Sequence, residues 1–120
     1  LLLSLATFAP AMAADFRSLA DDTLKAHPLM PDFRFNDQVA LSISDHDDFV
    51  TSVEAEQKLD AFIATGEDWR YAVIHKGENP TGGTYTIGLL TNSVATYRVT
   101  IFGRYAATQM IVDQITIEAE

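Results

Sequence analysis

The chain has 120 residues and no cysteine, with 8 basic side chains against 17 acidic ones and a formal net charge of −9. That length holds one domain with a single modest core. The absent thiols exclude disulfides, thiolate zinc sites and cysteine nucleophiles. The acidic balance lacks the basic footprint of a nucleic-acid binder and disfavours anionic membrane surfaces.

The opening "LLLSLATFAPAMAADF" is uncharged up to Asp15 and carries an A-x-A pattern at Ala11-Met12-Ala13. It reads as an export leader over residues 1–13, followed by a single domain over 14–120, destined for the periplasm or the extracellular space. Its apolar run falls short of the roughly 20 residues a membrane span needs, so the chain is expected not to span a membrane. Residues 15–27 place Phe16, Leu19, Ala20, Thr23 and Leu24 near one face, a helical pattern that Pro28 and Pro31 end. His27 sits at that helix end as a cap. Over 38–44, Val39, Leu41 and Ile43 alternate as in a half-buried strand. Asp45-His46-Asp47-Asp48 then reads as a solvated acidic turn before the next helix. Clustered carboxylates suit calcium, but the glycine and terminal glutamate of a calcium loop are missing, so no metal is expected.

A helix follows, because Thr51 and Glu54 form a T-x-x-E capping box and Ala55, Leu59 and Phe62 or Ile63 recur on one face. Gly66 is expected to close it as a left-handed cap. Beyond it the period changes to two. "DWRYAVIHK" groups Trp69, Tyr71, Val73 and His75 on one face. "GTYTIGLLT" alternates Tyr85, Ile87 and Leu89 with Thr84, Thr86, Gly88 and Leu90, and "ATYRVTIFG" alternates Tyr97, Val99 and Ile101 with Thr96, Arg98, Thr100 and Phe102. "QMIVDQITIE" carries a bulge near Val112 where apolar neighbours adjoin. Four strands with short links predict an antiparallel meander, and helices first with strands last predict an α+β domain.

The segments "SVEAEQKLDAFI", "YAVIHKGENPTGGTYTIGLL", "TYRVTIF" and "DQITIE", with "FNDQVALSI" before them, resemble a bacterial family of secreted domains of unknown function. The resemblance spans roughly residues 35–118. It implies the nuclear-transport-factor-two-like, or cystatin-like, fold: a curved antiparallel sheet packed on N-terminal helices as a cone. That superfamily holds ketosteroid isomerase, dehydratases and many non-enzymatic binding or dimerisation modules. The resemblance brings no assigned activity.

The stretch "IHKGENPTGGTYTIG" has the composition of a phosphate loop, yet Lys76 precedes the glycines and Gly82-Gly83 lead into a strand, so no helix N-terminus faces a ligand. It reads as a hairpin link, Pro80 presetting φ and the glycines permitting positive φ. His75 at its rim is the first candidate for a general base, and a backbone or hydroxyl partner at a strand end is its plainer role. Tyr71, Tyr85, Tyr97 and Arg98, with His75, form a constellation that would line a pocket for a small apolar ligand, or pack as sheet and core aromatics. An isomerase of this superfamily needs a carboxylate base and a hydrogen-bond donor, for which the strands offer His75 or Asp113 and Tyr71 or Tyr97. The expected function is a non-enzymatic module without cofactor, binding a small ligand or pairing with a second copy through its sheet. The alternative is a small-molecule isomerase or dehydratase. A third reading is an extracytoplasmic scaffold or inhibitor-like domain holding a partner with loops 77–83 and 103–108.

Overall fold

A computed structural model describes residues 32–106 and 109–120. The expected leader, the helix over 15–27 and residues 107–108 of the expected loop 103–108 lie outside the described residues, while residues 103–106 of that loop are strand. Six strands and one helix follow in order: β1 Asp32–Ile43, β2 His46–Thr51, α1 Ser52–Ile63, β3 Arg70–Glu78, β4 Gly83–Thr91, β5 Thr96–Ala106 and β6 Gln109–Ala119. All six strands join one sheet in the order β2-β1-β6-β5-β4-β3.

This corrects the expected architecture. The sheet is mixed, not antiparallel, and its one described helix lies between β2 and β3 instead of leading the chain. The run from β3 to β6 does form consecutive antiparallel neighbours. β1, however, enters between β2 and β6 and runs parallel to β6. Burial explains why. Met110, Ile111, Val112, Ile115 and Ile117 make β6 too apolar for an edge, and β1 supplies Phe33, Phe35, Val39 and Leu41 to match it.

The acidic stretch is also recast. Ser44 and Asp45 take φ of 50° and 68° and form a two-residue hairpin turn, so His46, Asp47 and Asp48 belong to β2. Positive φ at both central residues gives the turn twist that suits a tight hairpin. Strand alternation then separates the acids. Asp47 pairs with Ser42 on one face, while Asp48 and His46 pair with Leu41 and Ile43 on the other.

The capping box forms as the spacing predicts: the Glu54 amide donates to Thr51 Oγ1, and the Thr51 amide donates to Glu54 Oε1, each at 3.2 Å. Ala55, Leu59 and Ile63 face β1 and β2. The helix does not end on a left-handed glycine. Ala64 caps it in right-handed geometry, Thr65 Oγ1 donates to the Phe62 carbonyl at 2.6 Å, and Trp69 Nε1 donates to the Ile63 carbonyl at 2.8 Å. Those side chains satisfy carbonyls that a glycine cap would otherwise serve. Asp68, with φ of 57°, makes the left-handed step that leads into β3.

The core sits on the α1 side of the sheet. Leu59, Ile63, Leu90, Val99, Ile115 and Ile117 are fully buried there, and Phe62, Trp69 and Tyr97 form a ring cluster with centroids 5.0–6.0 Å apart.

Candidate functional site

The face away from α1 carries the features that ask for a functional explanation, and two bulges build it. In β3, Val73 pairs with Gly88 but His75 pairs with Ile87, leaving Ile74 as an extra residue. A strand that absorbs one residue reverses its alternation beyond that point. Tyr71 and Val73 therefore face the core, whereas His75 turns outward beside Ile87. The expected common face of Trp69, Tyr71, Val73 and His75 is split at Ile74. In β6, Gln114 pairs with Phe102 and Val112 with Gly103, so Asp113 is the extra residue of a second bulge.

β4 is oriented against its apparent polarity. Its threonines, Thr84 and Thr86, are 5% and 2% exposed on the inner face, and Thr84 Oγ1 donates to the Gly77 carbonyl at 3.1 Å. Its larger apolar set, Tyr85, Ile87 and Leu89, points outward and is half-buried. A cross-strand row then traverses all six strands: Phe49, Ala40, Gln114, Phe102, Tyr85 and Gly77. Phe49 is 67% exposed, Phe102 42% and the bulged Ile74 54%. The Tyr85 ring lies over Gly77, where an added Cβ would approach it to 2.6 Å, and its centroid is 6.1 Å from that of Phe102. The neighbouring row is Asp47, Ser42, Thr116, Thr100, Ile87 and His75.

The electrostatics of this face differ from those of the whole chain. Arg34, Arg70, Arg98 and Arg104 all belong to it by register, lying in the rows of Ile111, Thr91, Leu89 and Gly83. Asp32, Asp47, Asp113, Glu118 and Glu120 answer them, five carboxylates by register against four arginines. Arg98 Nε donates to Glu120 at 3.1 Å, and Arg104 Nη1 lies 3.5 Å from Asp113. Such exposed pairs contribute about 0–1 kcal/mol each. Their larger effect is to keep this face near neutrality on a chain of net charge −9.

A family model described as a domain of unknown function, DUF4783, matches residues 32–118. The chain belongs to the DUF4783 family. Three crystal structures of DUF4783 proteins are similar to it. The Bacteroides uniformis ATCC 8492 protein is 24% identical with a TM-score of 0.65, the match covering 72% of this chain and 80% of that one. The Bacteroides fragilis YCH46 protein is 25% identical with a TM-score of 0.64 over the same shares, 72% and 80%. The Bacteroides ovatus ATCC 8483 protein is 20% identical with a TM-score of 0.67, covering 87% of this chain and 86% of that one. No curated protein matches the chain.

In this DUF4783 domain the residues singled out from the sequence fall in two places. His75, Tyr85, Arg98 and Asp113 are on or beside the outer face, and His75 Nε2 lies 3.0 Å from the Tyr85 hydroxyl. Tyr97 joins Phe62 and Trp69 on the inner face. Tyr71 is also inward, its ring against Gly88. Tyr71 and His75 are therefore on opposite sides of the sheet. Asp113 accepts from Asn36 Nδ2 at 2.7 Å and is held two strands away from Tyr85. Among the described residues no group of three histidine, aspartate or glutamate side chains gathers as metal ligands, and no helix is long and apolar enough to cross a membrane.

Phe49, Ile74, Phe102 and Arg104 belong to this face and were not among the sequence candidates. The available signal was Phe102, an aromatic residue in phase with Thr96, Arg98 and Thr100 on an otherwise polar strand face.

Tyr71 reports on the inner face instead. Burial pushes its phenol up from 10.0 to about 12, and the neighbouring Thr86 side chain opposes that shift. The charged form is the tyrosinate, so the folded state holds the proton longer than the unfolded chain. This contribution to stability is complete below pH 10.0 and is lost as pH rises through about 12. Urea unfolding across that window is expected to show a stability loss of roughly 2 kcal/mol from this group. Tyr71→Phe removes that part of the pH dependence.

Proposed function

We propose that this domain is a non-enzymatic association module that pairs with a second copy of itself through the outer face of its sheet. The observation that carries the reading is the orientation of β4, which buries Thr84 and Thr86 and turns Tyr85, Ile87 and Leu89 outward. An isolated domain gains nothing from that choice, because burying the apolar set is the dominant favourable term in folding and in association. A partner sheet packed on the face recovers the gain.

Area and charge support a second copy as the partner. Six strands at about 4.8 Å spacing, most of them roughly 30 Å long, give a face of about 700 Å². A standard interface takes about 800 Å² from each partner. Two copies of net charge −9 repel, but on this face four arginines offset all but one of the carboxylates, so approach is least opposed here. The sheet edges are poorer routes. β2 has six residues and carries Asp47 and Asp48, and β3 is broken by the Ile74 bulge. Short, charged and bulged edges resist strand addition. His75, Tyr85 and Arg98 serve the interface as contact residues.

Sedimentation of the full chain over a range of concentrations tests this. The wild type is expected to shift from monomer to dimer mass. Phe102→Asp is expected to weaken that dimer by about 2 kcal/mol or more, roughly thirtyfold. Val94→Asp is the control, since Val94 is 87% exposed in the β4–β5 turn. It should dimerise as the wild type does. A wild type that stays monomeric throughout, or a Val94 variant as impaired as the Phe102 variant, counts against the reading.

A further inference from the structure

On the α1 side of the sheet, separate from the aromatic row, β1, β2 and α1 flank an open pocket of about 360 Å³. Leu41 and Ile43 line it from β1 and Phe62 from α1, while Asp48 and Lys58 stand on β2 and α1. We propose that this pocket binds a free α-amino acid with an apolar side chain, in its zwitterionic form.

The argument begins with the ion pair at the pocket. Asp48 points to this side because it pairs with the inward Leu41, and Lys58 reaches it from the helix. Lys58 Nζ and Asp48 Oδ2 are 3.7 Å apart, with each side chain 44% exposed. A contact so long and so wet contributes little to stability and yields easily to a better partner. It sets a positive and a negative group side by side on the wall of an apolar pocket.

That pattern selects the ligand's charge. A lone carboxylate meeting Lys58 also meets Asp48, and it approaches a chain of net charge −9. A lone ammonium meeting Asp48 also meets Lys58. A free amino acid carries both charges on one carbon, about 2.5–3.5 Å apart by covalent geometry. Laid antiparallel to the ion pair, its ammonium faces Asp48 and its carboxylate faces Lys58. Its side chain then enters the space bounded by Leu41, Ile43 and Phe62. The volume lies within the roughly 300–1,000 Å³ of small-molecule pockets, enough for a leucine- or phenylalanine-sized ligand. This inference shares no residue with the outer-face interface, because Asp48 and the outward Asp47 and Phe49 lie on opposite sides of β2.

Amide chemical shifts of the full chain, titrated with L-leucine, N-acetyl-L-leucine and L-leucinamide, test the proposal. L-leucine is expected to shift the amides of Leu41, Ile43, Phe62 and Thr65. The two derivatives, each missing one charge, should bind about tenfold more weakly or worse. Asp48→Asn should abolish the preference for leucine over its N-acetyl derivative. Lys58→Gln should abolish the preference over the amide. Both residues are substantially exposed and both changes are near-isosteric, so the fold is retained. The proposal is overturned if leucine shifts none of these amides, if N-acetyl-leucine binds as tightly as leucine, or if both variants discriminate as the wild type does.

Discussion

Trp69→Ala is expected to be among the most damaging single changes in the domain, lowering its stability by about 3–5 kcal/mol. Three losses combine. The indole is 9% exposed and packs against Phe62 and Tyr97, with centroids 5.7 Å and 6.0 Å away, so its removal opens a cavity between α1 and the sheet. Nε1 donates to the Ile63 carbonyl at 2.8 Å, so the end of α1 loses a buried partner that alanine cannot replace. The chain between α1 and β3 also loses its anchor, since Gly66 packs directly on the indole ring. For a domain of this size the change corresponds to a fall in Tm on the order of 20 °C. Thermal unfolding and urea titration read it. Trp69→Phe keeps most of the packing but not the hydrogen bond, and should fall between the two.

Gly103→Ala is expected to cost about 2–3 kcal/mol for a different reason. Gly103 sits at the β6 bulge, where a Cβ would collide with the Ile111 carbonyl oxygen and crowd its carbonyl carbon at 3.0 Å. Both obstacles are backbone in the middle of the sheet, so relief requires β5 and β6 to separate and lose ladder bonds. Gly82 makes the contrast. Its φ is 93° and nothing lies within 4 Å of an added Cβ, so only conformational strain is at stake. Gly82→Asn, which tolerates that region, should cost about 1 kcal/mol or less. If the two substitutions cost the same, as measured by urea unfolding, the close approach of Gly103 to β6 is not the constraint described here.

How much of this was legible in the chain depended on how local the cause was. α1 declared itself because its signals, the Thr51–Glu54 box and the spacing of Ala55 and Leu59, lie within one or two turns. The hairpin link before β4 was legible too, though not the part played in it by Asn79. Its side-chain oxygen accepts from the amides of Thr81 and Gly83 at 3.1 Å and 2.9 Å, and Gly82 takes the positive φ that the glycine pair allows. β2 was hidden because Asp45, Asp47 and Asp48 look like a loop. The strand exists because β1 offers it an edge, a non-local cause. The parallel docking of β1 on β6 pairs residues 74 to 77 positions apart and leaves no mark in either.

The common face expected of Tyr71 and His75 fails for the same reason. Nothing around Ile74 announces a bulge, since there is no glycine or proline between Tyr71 and Lys76. Strict alternation therefore put His75 beside Tyr71, while the extra residue sent it to the other side. The alternation of β4 was plain, but its direction was not. Tyr85, Ile87 and Leu89 look like the core set, and the position of Leu90 and the neighbouring Tyr71 and Val99 against α1's side of the sheet decides otherwise.

The central claim is that the outward set of β4 and the aromatic row beside it meet the same face of a second copy. An isotope-filtered NOE experiment on a mixture of labelled and unlabelled full-length chains tests it most directly, because it records contacts between copies alone. The expected result is intermolecular contacts from the Ile87 and Leu89 methyl groups to the Phe102 and Tyr85 rings. A dimer mass by sedimentation with no intermolecular contacts from this face, or contacts confined to the β2 and β3 edges, would contradict it.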